Sequence, residues 1–106
     1  MPERVNTSAR IEAARSKIAE LLASHAEWFC TLKEGNTQAL RRSELDIAVA
    51  HGRVILTSWT EQGSRSWKIF AWEWTGEKLL LQASRRMGAE RPVIELVPRG
   101  PPVRLL

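Results

Sequence analysis

The first pattern along the chain is helical. Between Ser8 and Lys33, apolar residues recur at gaps of three and four while most charged residues fall outside this stripe, which predicts one amphipathic helix. Thr7 or Ser8 can serve as its N-cap, and Gly35 with Asn36 can end it. The stripe positions are Ile11, Ala14, Ile18, Leu21, His25, Trp28 and Leu32, and Leu22 and Phe29 widen it. We therefore expect a helix over residues 7–34.

Such a helix is longer than the sheet it would cover. About 26 helical residues span ~39 Å at 1.5 Å per residue, whereas five strands are only about 20 to 25 Å across. Two explanations stay open for the overhang. The helix breaks near Ala26 and leaves Trp28–Leu32 as a short strand or loop, or the overhang meets a second copy of the chain through its heptad-like spacing.

The pattern changes to strict alternation after residue 43. Residues 36–43 show no sustained period and are interpreted as a connection. Glu44–Ala50 alternates apolar and polar residues, which predicts a half-buried strand. His51-Gly52 is suited to a two-residue turn, and this turn would pair Val49 with Val54. The segment therefore predicts a β-hairpin.

A tryptophan-rich stretch, Ser66–Gly76, predicts the central strand because it is aromatic and ends at a glycine turn. Its apolar residues occupy both parities, which indicates large side chains on both faces. A two-residue turn would place Trp72 opposite Leu79, whereas a three-residue turn with Gly76 left-handed would place Ala71 there. Because one step of register exchanges the faces, the face beneath the helix stays open.

The remaining pattern completes the predicted fold. Glu77–Arg86 and Val93–Val97 read as two further strands, and residues 100–106 read as a proline-rich tail. We expect a single α+β domain over residues 1–106, with one N-terminal helix packed on an antiparallel meander of four or five strands over residues 43–99. One helix covers one face, so the other face requires a partner or further cover.

Composition adds limits on the class of protein. The chain has 106 residues, 43% of them hydrophobic, and no apolar run approaches the ~18 to 20 residues that span a bilayer. No hydrophobic segment of a signal peptide follows the first charged residues, so we expect a cytoplasmic protein with no membrane partner. Cys30 is the only cysteine, which excludes an internal disulfide and a multi-cysteine zinc site.

Charge is distributed unevenly along the chain. The net charge is +4, residues 1–36 contain five basic and five acidic groups, and the excess therefore lies in residues 37–106. Nine of the eleven basic residues in that part are arginines, which suit phosphate geometry better than lysines do. This excess in the β part favours a polyanionic partner.

Arginines and tryptophans are interleaved in the predicted sheet. Aromatic platforms inside a cationic groove are what sequence-tolerant binding of single strands requires. The predicted nucleic-acid-binding residues are Arg53, Arg65, Lys68, Arg85, Arg86, Arg91, Trp59 and Trp67. The alternative is that the tryptophans form the core and the arginines are ordinary surface residues. We expect a noncatalytic nucleic-acid-binding module or, alternatively, a protein-interaction or homo-oligomerisation domain that uses the N-terminal helix or the uncovered sheet face.

Candidate catalytic groups are few. Cys30 and His25 are five positions apart on the predicted helix, so they would not share a face. A helix followed by a hairpin that carries Asp46 resembles restriction-endonuclease-like folds, but the Glu-x-Lys pair of their metal site is missing. A degenerate nuclease-like domain is therefore the third hypothesis. We predict no catalytic residue, no metal ligand and no cofactor.

Overall fold

The structure is a computed structural model that describes residues 2–32, 37–61, 63–84 and 92–103. Within these ranges it contains one α-helix, one turn of 3-10 helix and an eight-stranded antiparallel sheet. The helical elements are α1 (Ser8–Ala23) and the 3-10 turn (Arg42–Glu44). The strands are β1 (Glu3–Arg4), β2 (Glu27–Leu32), β3 (Thr37–Arg41), β4 (Leu45–Ala50), β5 (Arg53–Thr60), β6 (Gly63–Trp74), β7 (Leu79–Ser84) and β8 (Val93–Arg99). The α+β class is confirmed, but the sheet is larger than the predicted four or five strands.

The sheet curls into a half-barrel. Its strand order is β3-β2-β8-β7-β6-β5-β4, and β1 pairs with β6 at Ala71 and Trp72. The two edge strands, β3 and β4, are joined by Arg42–Glu44 alone. Four residue steps span at most about 14 Å, so the sheet edges approach each other at this turn. We call Arg42–Glu44 the closing turn.

Helix α1 ends eleven residues before the predicted position, so the expected helix over residues 7–34 is wrong. The Thr7 side chain accepts a hydrogen bond from the Arg10 backbone N–H at 3.3 Å, which confirms Thr7 as the N-cap. The helix has 16 residues, or about 24 Å. The overhang that suggested a second copy of the chain therefore does not exist. The predicted cap at residues 35–36 lies outside the described residues.

Strand β2 occupies the second half of the predicted helix. Trp28, Phe29 and Thr31 are residue types that favour strands over helices. Trp28 is buried while Phe29 and Thr31 are only partly covered, as alternation across a pleated strand requires. The explanation in which the helix breaks near Ala26 is therefore confirmed. The next segment, read as a connection, contains β3, which pairs with β2 along its length.

The core lies inside the half-barrel. Helix α1 packs against β4 and β5 and buries Ala14, Ile18 and Leu22, which are four positions apart on one face. The Trp28 indole is fully buried, and its Nε1–H donates to the Leu22 carbonyl oxygen at 3.1 Å. The other large strand residues of the core are Leu40, Leu45, Ile47, Val54, Leu56, Trp67, Ile69, Trp72, Leu79, Leu81, Ile94 and Leu96.

The hairpin of β4 and β5 has the predicted register. Val49 pairs with Val54, and the turn residues His51 and Gly52 have φ values of 52° and 69°. Positive φ at both central positions is the requirement of a type I′ turn, whose twist matches that of the flanking strands. Local sequence therefore suffices to specify this hairpin.

Neither register predicted for the hairpin of β6 and β7 is correct. Trp74 pairs with Leu79, which leaves a four-residue loop over residues 75–78. The Thr75 hydroxyl accepts a hydrogen bond from the Lys78 backbone N–H at 3.1 Å, and the Thr75 N–H donates to the Lys78 carbonyl at 3.0 Å. Gly76 takes the left-handed conformation, with φ of 94°. The loop therefore avoids positive φ at the β-branched Thr75.

A β-bulge at Phe70 changes the face that β6 presents. Ile69 pairs with Ala83, yet Ala71 pairs with Gln82, so Phe70 is an extra residue in the register between β6 and β7. The strand therefore changes parity at this point. Trp67 and Ile69 before the bulge, and Trp72 and Trp74 after it, all lie on the core face. The three tryptophans of the central strand therefore share one face, and of the large side chains expected on the other face only the half-buried Phe70 lies outside the core cluster.

Candidate nucleic-acid interface

Trp59 is the tryptophan that reaches solvent on the outer side of the sheet. Its side chain is 45% exposed, whereas Trp28, Trp67 and Trp72 are at most 9% exposed and Trp74 packs against the core. Alternation along β5 places Trp59 on the face opposite the buried Val54 and Leu56. An exposed indole of this kind is free to stack on another aromatic surface.

Two cationic side chains share this face with Trp59. Arg53 has the same parity on β5, and Lys68 of β6 pairs with Ile55 of that parity. We call Arg53, Thr57, Trp59, Ser66 and Lys68 the β5–β6 outer face. Arg53, Trp59 and Ser66 are exposed, and Thr57 and Lys68 are partly exposed.

The β5–β6 outer face forms a track. Arg53 and Trp59 are six residues apart on β5, which corresponds to about 20 Å. Lys68 lies opposite Ile55, about 13 Å along the strand from Trp59. Between them the Thr57 and Ser66 hydroxyls are hydrogen-bonded at 3.1 Å. The track thus offers an aromatic surface at one end, small hydroxyl groups in the middle and cations beyond.

The cations of the track have no acidic partner among the residues that the structure describes. Neither Arg53 nor Lys68 forms an ion pair within residues 2–32, 37–61, 63–84 and 92–103, whereas Lys78 pairs with Glu95 at 3.5 Å. The exposed carboxylate of Asp46 lies on the same face, on the strand beside Thr57. Asp46 therefore lowers the positive potential of the track without neutralising either cation directly.

The other predicted binding residues do not join the track. Trp67 is 6% exposed and belongs to the core, so its predicted role as a base platform is wrong. Arg65 is exposed but has the opposite parity to Lys68, because it pairs with Ser58. Arg85, Arg86 and Arg91 lie outside the described residues. The last described residue before them, Ser84, pairs with Lys68.

The charge excess predicted for the sheet does not lie on its described part. Residues in the described ranges include eleven basic and ten acidic groups, so they contribute +1 of the net charge of +4. The remaining +3 belongs to residues outside those ranges. The described residues therefore favour a polyanion through the two cations of the track and not through their net charge.

Sequence reasoning missed a second group of cations at the closing turn. Arg41 and Arg42 border a shallow depression of about 490 Å³, between the end of α1, the start of β2 and Val103. The adjacent arginines were visible in the sequence, but they fell in a segment interpreted as a connection. Their shared location depends on how the sheet edges meet, which no local pattern indicates.

Groups suited to catalysis are isolated. No cluster of three or more His, Cys, Asp or Glu residues occurs in the part of the chain that the structure describes. Burial raises the pKa of the Cys30 thiol to about 11, so it is protonated and weakly nucleophilic at neutral pH. The described helix is also not long and apolar enough to cross a membrane.

Comparison of the chain with known protein families, with curated proteins and with solved structures found no match in any of the three. Function is therefore argued from the geometry of the chain itself.

Proposed function

We propose that the chain is a noncatalytic module that binds single-stranded nucleic acid along the β5–β6 outer face. The observation that carries this proposal is the position of Trp59, an exposed indole on the same face as two unpaired cations, Arg53 and Lys68. A base stacks on an aromatic side chain only when it is unstacked from its neighbours, which favours single strands over duplex. Cations along the track then contact the backbone phosphates.

The first prediction concerns Trp59→Ala. Base stacking on an aromatic side chain contributes about 1–3 kcal/mol, so this substitution should weaken binding of a labelled single-stranded oligonucleotide about 5- to 150-fold. Fluorescence anisotropy at low salt measures the affinity. Trp59→Phe is the matched variant, because it retains an aromatic surface and should retain most of the affinity.

Removal of a cation from the track and removal of the nearby carboxylate should change binding in opposite directions. The slope of log affinity against log salt concentration is negative, and Arg53→Gln and Lys68→Gln should each reduce its magnitude by about 0.7. Asp46→Asn should raise affinity by up to about two-fold at low salt, the effect of one charge about 10 Å away in water. Arg10→Gln, on α1, should change neither quantity. Absence of binding at low salt, or equal binding by the parent and Trp59→Ala, would contradict the proposal.

A second candidate function is homo-oligomerisation through the free edge of β3. Among the described strands, this strand pairs with β2 alone, and Thr37, Gln38 and Ala39 on it are exposed and uncharged. Edges that resist pairing usually carry charges, proline or a bulge, and these three residues carry no such feature. The unpaired N–H and C=O groups of this edge are therefore open to a second strand.

Multi-angle light scattering during gel filtration tests this second function. Pairing of two β3 edges should give a dimer, and Gln38→Pro should shift it towards monomer because proline lacks the N–H donor. A monomer at all concentrations would exclude homo-oligomerisation and would leave nucleic-acid binding unaffected.

A further inference from the structure

The depression beside the closing turn is built from segments that are distant in sequence. The Arg42 backbone N–H donates to the Ala26 carbonyl at 2.7 Å, which ties the turn to the segment between α1 and β2. The Val103 N–H donates to the Ser24 carbonyl at 2.7 Å, which brings the C-terminal segment onto the end of α1. These two hydrogen bonds hold the rim of the depression in place.

Positive charge dominates this rim. The side chains of Arg41 and Arg42 make no ion pair within the described ranges. Of the two nearby carboxylates, Glu27 itself lines the depression and pairs with Arg99 at 3.4 Å, and Glu44 accepts a hydrogen bond from the Arg41 backbone N–H at 2.9 Å. These five side chains together have a net charge of +1. Both guanidinium groups of the rim therefore remain available to an anion.

The floor of the depression is apolar. Ala23, Ala26 and Val103 supply methyl groups, and the His25 ring lies beside them. The Ser24 hydroxyl lies within hydrogen-bonding distance of the Leu21 carbonyl oxygen and of His25 Nδ1, the latter at 2.8 Å. The Nδ1 atom of His25 is therefore occupied within the chain. The ring also contacts the edge of Trp28 at a centroid distance of 5.5 Å.

We propose that this depression binds the phosphate monoester of a small organic molecule. A phosphate monoester carries about −1.5 to −2 charges at neutral pH and has three strong acceptor oxygens. Two guanidinium forks match both its charge and its geometry. A volume of about 490 Å³ holds a small ligand, and the apolar floor suits its organic part. Trp59 does not line the depression, so this site is separate from the proposed nucleic-acid track.

Isothermal titration calorimetry with phenyl phosphate tests this site. The parent should bind phenyl phosphate more tightly than inorganic phosphate, which lacks the apolar part, and more tightly than benzoate, which carries one charge. The double variant Arg41→Gln/Arg42→Gln should weaken binding at least about ten-fold, because two charge-assisted hydrogen-bonding groups are lost. Arg10→Gln, which removes an exposed arginine of α1, should bind as the parent does.

A second variant separates local charge from any effect on folding. Ser43→Asp places a carboxylate in the exposed closing turn beside the depression and should also weaken phenyl phosphate binding about ten-fold. Trp59→Ala should leave this binding unchanged, which distinguishes the site from the nucleic-acid track. The proposal is overturned if the parent does not bind phenyl phosphate, if the double variant binds it as the parent does, or if benzoate or inorganic phosphate binds equally well.

Discussion

Insertion of an alanine between Phe70 and Ala71 is expected to abolish cooperative folding of the chain. Phe70 is the extra residue of the bulge in β6, and a second extra residue shifts residues 71–74 by one position relative to β7. Because successive strand residues face opposite sides, Trp72 and Trp74 would move to the outer face. Ala71 and Glu73 would replace them in the core, where a carboxylate is strongly unfavourable.

The expected effect is larger than the stability of a typical domain. Loss of a buried tryptophan destabilises a protein by about 3–5 kcal/mol, and Trp72 is 9% exposed while Trp74 packs against the core. Two such losses and a buried carboxylate together approach or exceed the ~5–15 kcal/mol by which most domains are stable. Far-UV circular dichroism during urea titration measures the outcome.

Phe70→Ala is the matched control, because it keeps the residue count and therefore the bulge. Phe70 is only partly buried, so we expect this substitution to lower the free energy of unfolding by about 1–2 kcal/mol. The insertion variant should have no cooperative transition under the same conditions. If the insertion variant unfolded with the midpoint of the parent, the assignment of the bulge would be wrong.

Trp28→Ala is expected to lower the free energy of unfolding by about 3–5 kcal/mol. The Trp28 side chain is fully buried, and its Nε1–H donates to Leu22, which ties β2 to the end of α1. The substitution removes this contact and leaves a cavity where helix and sheet meet. Urea unfolding, analysed with a two-state transition, gives the free energy.

Two further variants serve as comparisons for the loss of stability in Trp28→Ala. Trp28→Phe retains most of the apolar surface but leaves the Leu22 carbonyl without its donor, so it should cost about 1–3 kcal/mol. Trp59→Ala removes an exposed indole and should change stability by no more than about 0.5 kcal/mol. Equal effects of Trp28→Ala and Trp59→Ala would contradict the core described above.

Elements specified by neighbouring residues could be predicted from the sequence. The turn at His51-Gly52 and the alternation of Glu44–Ala50 determine the register of β4 and β5. Elements that depend on distant partners could not. The apolar spacing of α1 continues through Trp28 into β2, so the spacing alone does not mark the end of the helix, and the mostly polar β3 is a strand only because it pairs with β2.

The bulge at Phe70 has a sequence signal that is visible in retrospect. Apolar side chains occupy one parity at Trp67 and Ile69 and the other parity at Trp72 and Trp74. This change of phase indicates one buried face interrupted by an extra residue, not two apolar faces. The partner strand β7 fixes the position of the extra residue, because its buried residues alternate without interruption.

The candidate sites were only partly predictable for the same reason. Arg53, Lys68 and Trp59 share a face. Arg53 and Trp59 have the same parity on β5, and Lys68 on β6 pairs with Ile55, which also has that parity. Trp67 belongs to the core because it pairs with the buried Leu56 of β5, and composition does not indicate this pairing. Arg41 and Arg42 border a depression because the two sheet edges meet at the closing turn, and this depends on the curvature of the whole sheet.

The bulge brings Trp72 and Trp74 to the core face that Trp67 already occupies, whereas Trp59 lies on the outer face: this is the central claim. Paramagnetic relaxation of the five indole Nε1–H resonances by a soluble gadolinium chelate tests it directly, with Trp→Phe variants for assignment. We predict that Trp59 relaxes fastest and that Trp28, Trp67 and Trp72 relax slowest. Relaxation of Trp67 or Trp72 as fast as that of Trp59 would contradict the claim.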